Sequence, residues 1–484
     1  MLLERGQDYL KILIFGTGKF YQNRKEQLWA EFGQDEVIGF LDNHRTGILD
    51  GRQIYRPEDG IRLPHDKILI MSVFADEMLE QLLSLDVPRE RITTYSELYA
   101  RKMSGVLKLY MREGSRAGKR ILIISEMLDY NGGAMAAVYA AESLRAKGYD
   151  VCLAVPKIHE KLLQEVQEEG LNVIFCPTLP FVFEVERYWI ASFDIVLVNV
   201  FPMMVSALEI SRFRPVLWWI HESADRYTRH YSNTRKRYPQ HAELPGVQKV
   251  RVLAVSQVAA DAFEQFYPQR IEGIMPYGIP DDCQFGEDDV MHPIGMAILG
   301  NVSYLKAQKE FLEAVSMLPE IQRKRCRFYV VGLLDEASDY GKAVIELAGT
   351  CPEVSLTGVL TRKELQMKYS EFDVIVSPSY VDSLPIAVTE GLMNEKICIV
   401  SDATGHAHGI IRDGENGFIC RAGDVTSLAE KMAQVIKHFD ELGLMREKAR
   451  KTYEKYFSME AFGERLEREL LLTEREYWAK EGKK

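Results

Sequence analysis

Two acids, Asp382 and Glu390, stand eight positions apart in "SYVDSLPIAVTEG", with Pro385 between them. Carboxylates only accept hydrogen bonds, so such a pair suits a ligand rich in hydroxyls. Two polar residues around a strand-to-helix turn would give the same spacing. Lys306, in "LGNVSYLKAQKEF", is a cation placed between a strand-like run and a helix-like one, where growing negative charge could be met. It also reads as a solvated surface lysine. His221 closes the apolar run "VLWWIH" and can hydrogen-bond a ligand at a strand end, or be satisfied by local backbone. Glu222 follows it as a weaker candidate for contact with a second substrate. Gly132 and Gly133 let the backbone approach a ligand closely, or make a simple tight turn. His406 and His408 in "SDATGHAHG" are spaced i, i+2 without a third ligand, which reads as a strand-end loop lining a cleft rather than a metal site.

Short β-branched runs alternating with amphipathic stretches place these residues on βαβ units, an α/β class with parallel sheets. Residues 1–100 form a first small unit, with strands "KILIF", "VIGFLDN" and "KILIMSV". Its Gly-rich turn has Gly16 and Gly18, but Tyr21 stands where a third glycine would allow close helix packing. A structural Rossmann-like module is the main reading, with nucleotide binding beside Asp42 as the alternative and an NAD-dependent oxidoreductase as a remote one. Residues 101–119 read as a basic linker, with contact to an acidic membrane surface as the alternative. Residues 120–285 carry "ILIIS", "YDVCLAV", "FDIVLVNV", "PVLWWIHES" and "VRVLAVS", and Asn199, His221 and Ser256 fall at strand ends that share a rim. Residues 286–465 carry "GMAILGNV", "RFYVVG", "EVSLTG", "DVIVSPS" and "KICIVSD", and residues 466–484 read as a C-terminal helix or tail. Two α/β units in tandem predict a cleft between two sheets.

Composition narrows the class. A net charge of −11 argues against general nucleic-acid binding. The seven cysteines form no C-x-x-C pair and sit in apolar runs, which fits buried thiols in a reducing compartment. The N-terminus lacks the pattern of a signal peptide, and the longest apolar run is broken by Asn199 and Pro202. A cytoplasmic protein is expected, at the inner face of the membrane if it meets one. The basic, aromatic stretch "RYTRHYSNTRKRYPQ" (226–240) reads either as a holder of an anionic or lipid-linked ligand, or of a membrane surface, or as an ordered loop.

Taken in order, these pieces resemble the retaining glycosyltransferases of family 4, which have the GT-B fold. "NGGAMAAVYAAESLRAKGYDV", "WWIHES", "MPYGIPDD", "LGNVSYLKAQKEFLEAV", "SPSYVDSLPIAVTEG" and "IIRDGENGFICRAGD" carry the resemblance over about 120–465. It implies transfer of a sugar from a nucleotide-diphosphate sugar, a UDP-sugar first, to a hydroxyl of a glycan or of a lipid- or protein-linked acceptor. Anomeric retention, no metal and no resident cofactor are implied with it. Residues 120–285 would receive the acceptor and 286–465 the donor. His221, Asp382 and Glu390 would be the catalytic residues, with Glu390 on the ribose diol. Gly132, Gly133, Gly300, Asn301, Lys306, Gly358, Ser383, Leu384, Pro385 and Ile386 would hold the donor. This chain departs from the family at Asn301, where Arg is usual, and at Asp382, where Glu is usual. Asn brings no charge, so either the diphosphate is neutralised more weakly or another cation supplies the charge, with Arg251, Arg362 and Lys363 as candidates. The departures, with the added first unit, keep a non-catalytic partner of an active transferase as the alternative. Homo-oligomerisation is left open.

Overall fold

The computed structural model describes residues 4–5, 8–32, 37–72, 74–111, 118–182, 184–224, 227, 249–267, 270–283 and 293–482. The stretch 226–240 lies outside these residues except for Tyr227. The described chain forms two compact units, divided between Val106 and Leu107.

The first unit is a six-stranded sheet in the order Gly47–Leu49, Arg52–Tyr55, Val37–Leu41, Ile12–Phe15, Lys67–Ile70, Ile92–Thr94. All neighbours are parallel except the first pair. Ile12–Phe15 is buried at every position, as a strand covered on both faces requires.

The second unit holds two sheets. One has eight strands: Gly273–Ile274, Val250–Ala254, Val216–Ile220, Ile195–Asn199, Arg120–Ile124, Asp150–Val155, Asn172–Phe175, Lys108–Tyr110. Only Lys108–Tyr110 runs antiparallel, so part of the segment expected as a basic linker is an edge strand. The other sheet is all parallel: Val354–Gly358, Cys326–Val331, Ile294–Leu299, Val374–Ser377, Ile397–Ser401, Phe418–Cys420. In each sheet the first long strand sits between its sequence neighbour and a later strand. That is a switch point, beside which the strand-end loops open a crevice.

The two halves of this unit share one apolar core, which includes Trp219 and Phe263 from the first and Val388 and Phe457 from the second. The C-terminal helix Met459–Lys480 returns to the first sheet, where Phe462 stacks on Trp219 at 5.6 Å. It is a single element across the boundary placed at 465. Arg251 is bound there too, to Glu469 at 2.9 Å and Glu272 at 2.7 Å. Among the described residues, no helix is long and apolar enough to cross a membrane.

Candidate functional site

A cavity of about 480 Å³ lies between the strand-end loops of the two sheets. From the first half come Gly132, Gly133, His221 and Glu222, and from the second Asp382, Ser383, Leu384 and Ile386. Such a volume accommodates a small organic ligand.

The first wall begins at Arg120–Ile124. The helix Gly132–Ala146 is capped by Asn131, whose Oδ1 accepts from Ala134 N at 3.0 Å. Gly132 is needed for the closeness of the opposite wall: a Cβ there would stand 3.1 Å from Ile386 Cδ1. Asn199 does not join the rim. It is fully buried and props this turn from below, donating to Gly133 O at 2.8 Å and Ser125 Oγ at 3.0 Å. Ser256 is likewise structural, capping the helix Gln257–Phe266. His221 packs its ring on Trp219, with centroids 4.4 Å apart. Burial pushes its pKa down to about 3, so the ring is neutral, and its buried Nε2 has no partner among the described residues. Glu222 Oε2 accepts from Phe201 N at 3.0 Å and from His221 N at 3.1 Å. Burial nevertheless lifts its carboxyl to about 7.

The second wall is the turn after Val374–Ser377. Asp382 donates its backbone N–H to Ala403 O at 3.2 Å and accepts from Gly405 N at 2.9 Å. Its side chain is ion-paired with Lys306. Ser383 Oγ is buried with no partner among the described residues. Leu384 O accepts from Tyr277 OH at 2.9 Å, and Pro385 stands just before the helix Ile386–Met393. Tyr277 comes from the link between the halves and is buried.

Lys306 ends a short 3-10 turn, Tyr304–Lys306, and the helix proper starts at Gln308 after Ala307 in a left-handed conformation, φ 60°. Gln308 is fully buried and holds the loop from within: its Nε2 donates to Gly300 O at 3.3 Å and Asn301 O at 3.2 Å. Asn301 itself is exposed. Gly300 has φ 129°, and beside it a Cβ on Gly332 would overlap Gly300 O at 2.1 Å, so these two strand ends meet only as glycines. Gly358 follows at the next strand, where its carbonyl accepts from Gly332 N at 2.9 Å.

Glu390 lies apart from the cavity's lining. It is the fifth residue of its helix, a full turn inside rather than at the start, and is buried. Arg362 donates to Oε1, and the Tyr369 hydroxyl to Oε2 at 3.0 Å. Arg362 also reaches Asp282 at 2.8 Å. Of the cations considered to replace the missing Arg at 301, Arg251 is bound to the C-terminal helix, and Arg362 is bound to these two carboxylates. Lys363 is exposed on the first turn of Arg362–Lys368.

His406 does not line the cleft. It is fully buried, its Nε2 hydrogen-bonds Thr389 Oγ1 at 3.0 Å, and burial lowers its pKa to about 3. His408 is exposed and bonds Asp402 O at 3.1 Å. Among the described residues no three His, Cys, Asp or Glu side chains gather to hold a metal. The sequence reading missed Arg362 as a partner of Glu390, and also Tyr369, Tyr277 and Gln308. Their only local signal was residue type, a guanidinium, two phenols and an amide, with no spacing that points to the site.

In the first unit, Asp42 is used internally. Burial raises its pKa, but the Thr17 hydroxyl and the His44 and Arg45 N–H groups outweigh that and hold it below the ordinary value. Tyr21 and Lys25 have the four-residue spacing of an oxidoreductase Tyr–Lys pair. Both are instead bound to Asp50, at 2.6 and 3.0 Å, and Tyr21 is fully buried.

Family comparison agrees with this architecture. Residues 292–452 match the model for glycosyl transferases group 1, and residues 117–269 that for glycosyl-transferase family 4. A glycosyl transferases group 1 domain and a family 4 domain are thus present, on the two halves of the second unit. Residues 8–93 match a different model, described as C2185-like, N-terminal. Among individual proteins, 152 residues are 30% identical to "Putative glycosyltransferase EpsD" of Bacillus subtilis (strain 168), covering 31% of this chain and 37% of that protein's length. The fold is similar to Anabaena Alr3699/HepE in complex with UDP, with a TM-score of 0.62 and 15% identity over 73% of this chain and 100% of that one. HepE in complex with UDP-glucose gives a TM-score of 0.60 at 15% identity, over 73% and 99%. Sucrose-phosphate synthase from Thermosynechococcus elongatus gives 0.58 at 16% identity, over 73% and 99%.

Proposed function

We propose that the chain transfers a sugar from a nucleotide-diphosphate sugar to an acceptor hydroxyl, with retention of anomeric configuration and without a metal. The cavity is the observation that carries this reading: His221 and the Gly132–Gly133 turn on one wall face the Asp382–Ile386 turn on the other. The UDP and UDP-glucose held by HepE support a uridine donor.

In this reading the loop Gly300–Lys306 takes the diphosphate, where charge grows as the glycosidic bond breaks. Lys306 and the N-terminus of the helix beginning at Gln308 stabilise that charge. The N-terminus of Gly132–Ala146 adds donors from the opposite wall. Asp382 and the Ser383 hydroxyl orient the transferring sugar, and neutral His221 offers it a hydrogen bond from the other side. Glu390 takes the ribose diol. The acceptor attacks from the face that the leaving group departs, and a phosphate oxygen receives its proton, so no protein nucleophile is required. The acceptor enters from the first half and is a glycan or a lipid- or protein-linked sugar. Contact with a membrane surface belongs to the same proposal.

A second reading is a non-catalytic scaffold. It is favoured by one observation: both acids of the opening motif are already neutralised from within, Asp382 by Lys306 and Glu390 by Arg362. A panel of UDP-, GDP- and ADP-sugars with glycoside acceptors separates the two. Release of nucleoside diphosphate supports transfer, and failure of every donor to bind supports the scaffold.

A further inference from the structure

The acceptor side of the cavity is acidic, and the acid is built in. Among the described lining residues are three carboxylates, Glu126, Glu222 and Asp382, and no Lys or Arg. Asp382 has Lys306 as counter-ion, whereas the other two, on the first half, pair with no Lys or Arg among the described residues. Glu222 is held in place by backbone. Val200 adopts φ 69°, a conformation a β-branched residue avoids, and its carbonyl accepts from Trp218 Nε1 at 3.0 Å. The turn so formed aims Phe201 N–H at Glu222 Oε2. Burial lifts the Glu222 carboxyl to about 7 despite these donors, and the nearby Glu126 charge adds to the lift. Beside it, His221 Nε2 is buried and unpartnered among the described residues.

We infer that this end of the cavity seats an uncharged or amino sugar through its hydroxyls, and excludes acceptors that bring a carboxylate or phosphate into it. The inference rests on the glycosyltransferase reading and names the acceptor class for it. A hydroxyl can donate to Glu126 or Glu222 and pair with His221 in either tautomer. Above about pH 7, where Glu222 has given up its proton, an oxyanion has no proton to give the carboxylates and is repelled by them. The feature that favours anions on this wall, the N-terminus of Gly132–Ala146, is taken by the donor diphosphate in that reading. The acceptor therefore meets the carboxylates.

The test compares methyl glycosides of glucose, galactose and mannose with the matching methyl uronides, and adds methyl glucosaminide. Relative affinities are read by saturation-transfer NMR competition on the full chain, with and without UDP. At least one neutral glycoside is expected to bind about tenfold or more tightly than its uronide, with the glucosaminide at least equal to the glucoside. The isosteric pair Glu126→Gln with Glu222→Gln should shrink the gap to about threefold or less. Uronides that bind as well as the neutral sugars, binding by no sugar, or a gap unchanged in the double variant would overturn the inference. Calorimetry with UDP alone reads the donor side separately. UDP binding without charge discrimination leaves the transferase reading standing and removes this one. Discrimination without nucleotide binding does the reverse.

Discussion

Lys306 and Asp382 form an ion pair that ties the loop after Ile294–Leu299 to the turn after Val374–Ser377, 76 positions apart in sequence. The cation proposed for the diphosphate and the acid proposed for the sugar are thus partners before any ligand arrives. A donor entering here exchanges one charge contact for another, which keeps both side chains oriented at little cost in entropy. Replacing Lys306 with Ala leaves Asp382 half-buried without its counter-ion. Donor affinity is expected to fall roughly 10- to 100-fold, with about 1 kcal/mol lost from stability. Calorimetry with UDP and urea unfolding measure the two effects separately.

Glu390 is occupied in the same way, by Arg362 and the Tyr369 hydroxyl. An internal partner that competes with a ligand lowers the ligand's apparent affinity. Arg362→Ala should therefore tighten nucleotide binding about threefold, whereas Glu390→Gln should weaken it about 10- to 100-fold. Equal weakening by both would mean that Arg362 contacts the donor directly.

Arg251 serves as the contrast. Its guanidinium is bound by Glu469, Glu272 and Glu476, and it ties the C-terminal helix to the first sheet. Arg251→Ala is expected to cost about 2 kcal/mol, because it strands partly buried carboxylates. The nucleotide dissociation constant should stay unchanged. A tenfold loss of affinity in the folded variant would return Arg251 to the site.

Burial raises the pKa of Glu222 well above the ordinary carboxylate value. Its folded pKa of about 7 lies above the ordinary 4.5, so the folded state holds its proton more tightly than the unfolded chain does. The resulting stabilisation is full below pH 4.5 and is lost as pH rises towards 7. Glu222→Gln cannot titrate. Its stability relative to the native chain should therefore rise between these limits, as read from urea midpoints at pH 5 and pH 7.5. A constant difference between the two would refute the shift.

The order of the long buried strands was legible because each is a short apolar run bounded by polar or glycine residues, the pattern of a sheet covered on both faces. It was clear even for Val216–Ile220, where two tryptophans are fully buried. Short strands escaped notice at the sheet edges and, for Arg52–Tyr55 and Asn172–Phe175, inside the sheets. Lys108–Tyr110 has exposed or half-buried side chains and is defined by its pairing with Asn172–Phe175. Within the candidate site, the acids and Lys306 could be proposed from residue type, spacing and the family resemblance. Their partners could not, since Arg362 meets Glu390 and Tyr277 meets Leu384 only through the fold. His406 misled for a related reason: a polar residue in a strand-end loop reads as exposed, yet Thr389 and Phe457 enclose it.

The central claim is nucleotide-sugar-dependent transfer at the cleft between the two sheets. Its most direct test is release of nucleoside diphosphate from UDP-glucose, with GDP- and ADP-sugars alongside, by the native chain and by Glu390→Ala in the presence of a glycoside panel. Acceptor-dependent release that falls at least about tenfold in the variant is the predicted result. No release above background with any donor, or release that Glu390→Ala leaves untouched, would contradict it.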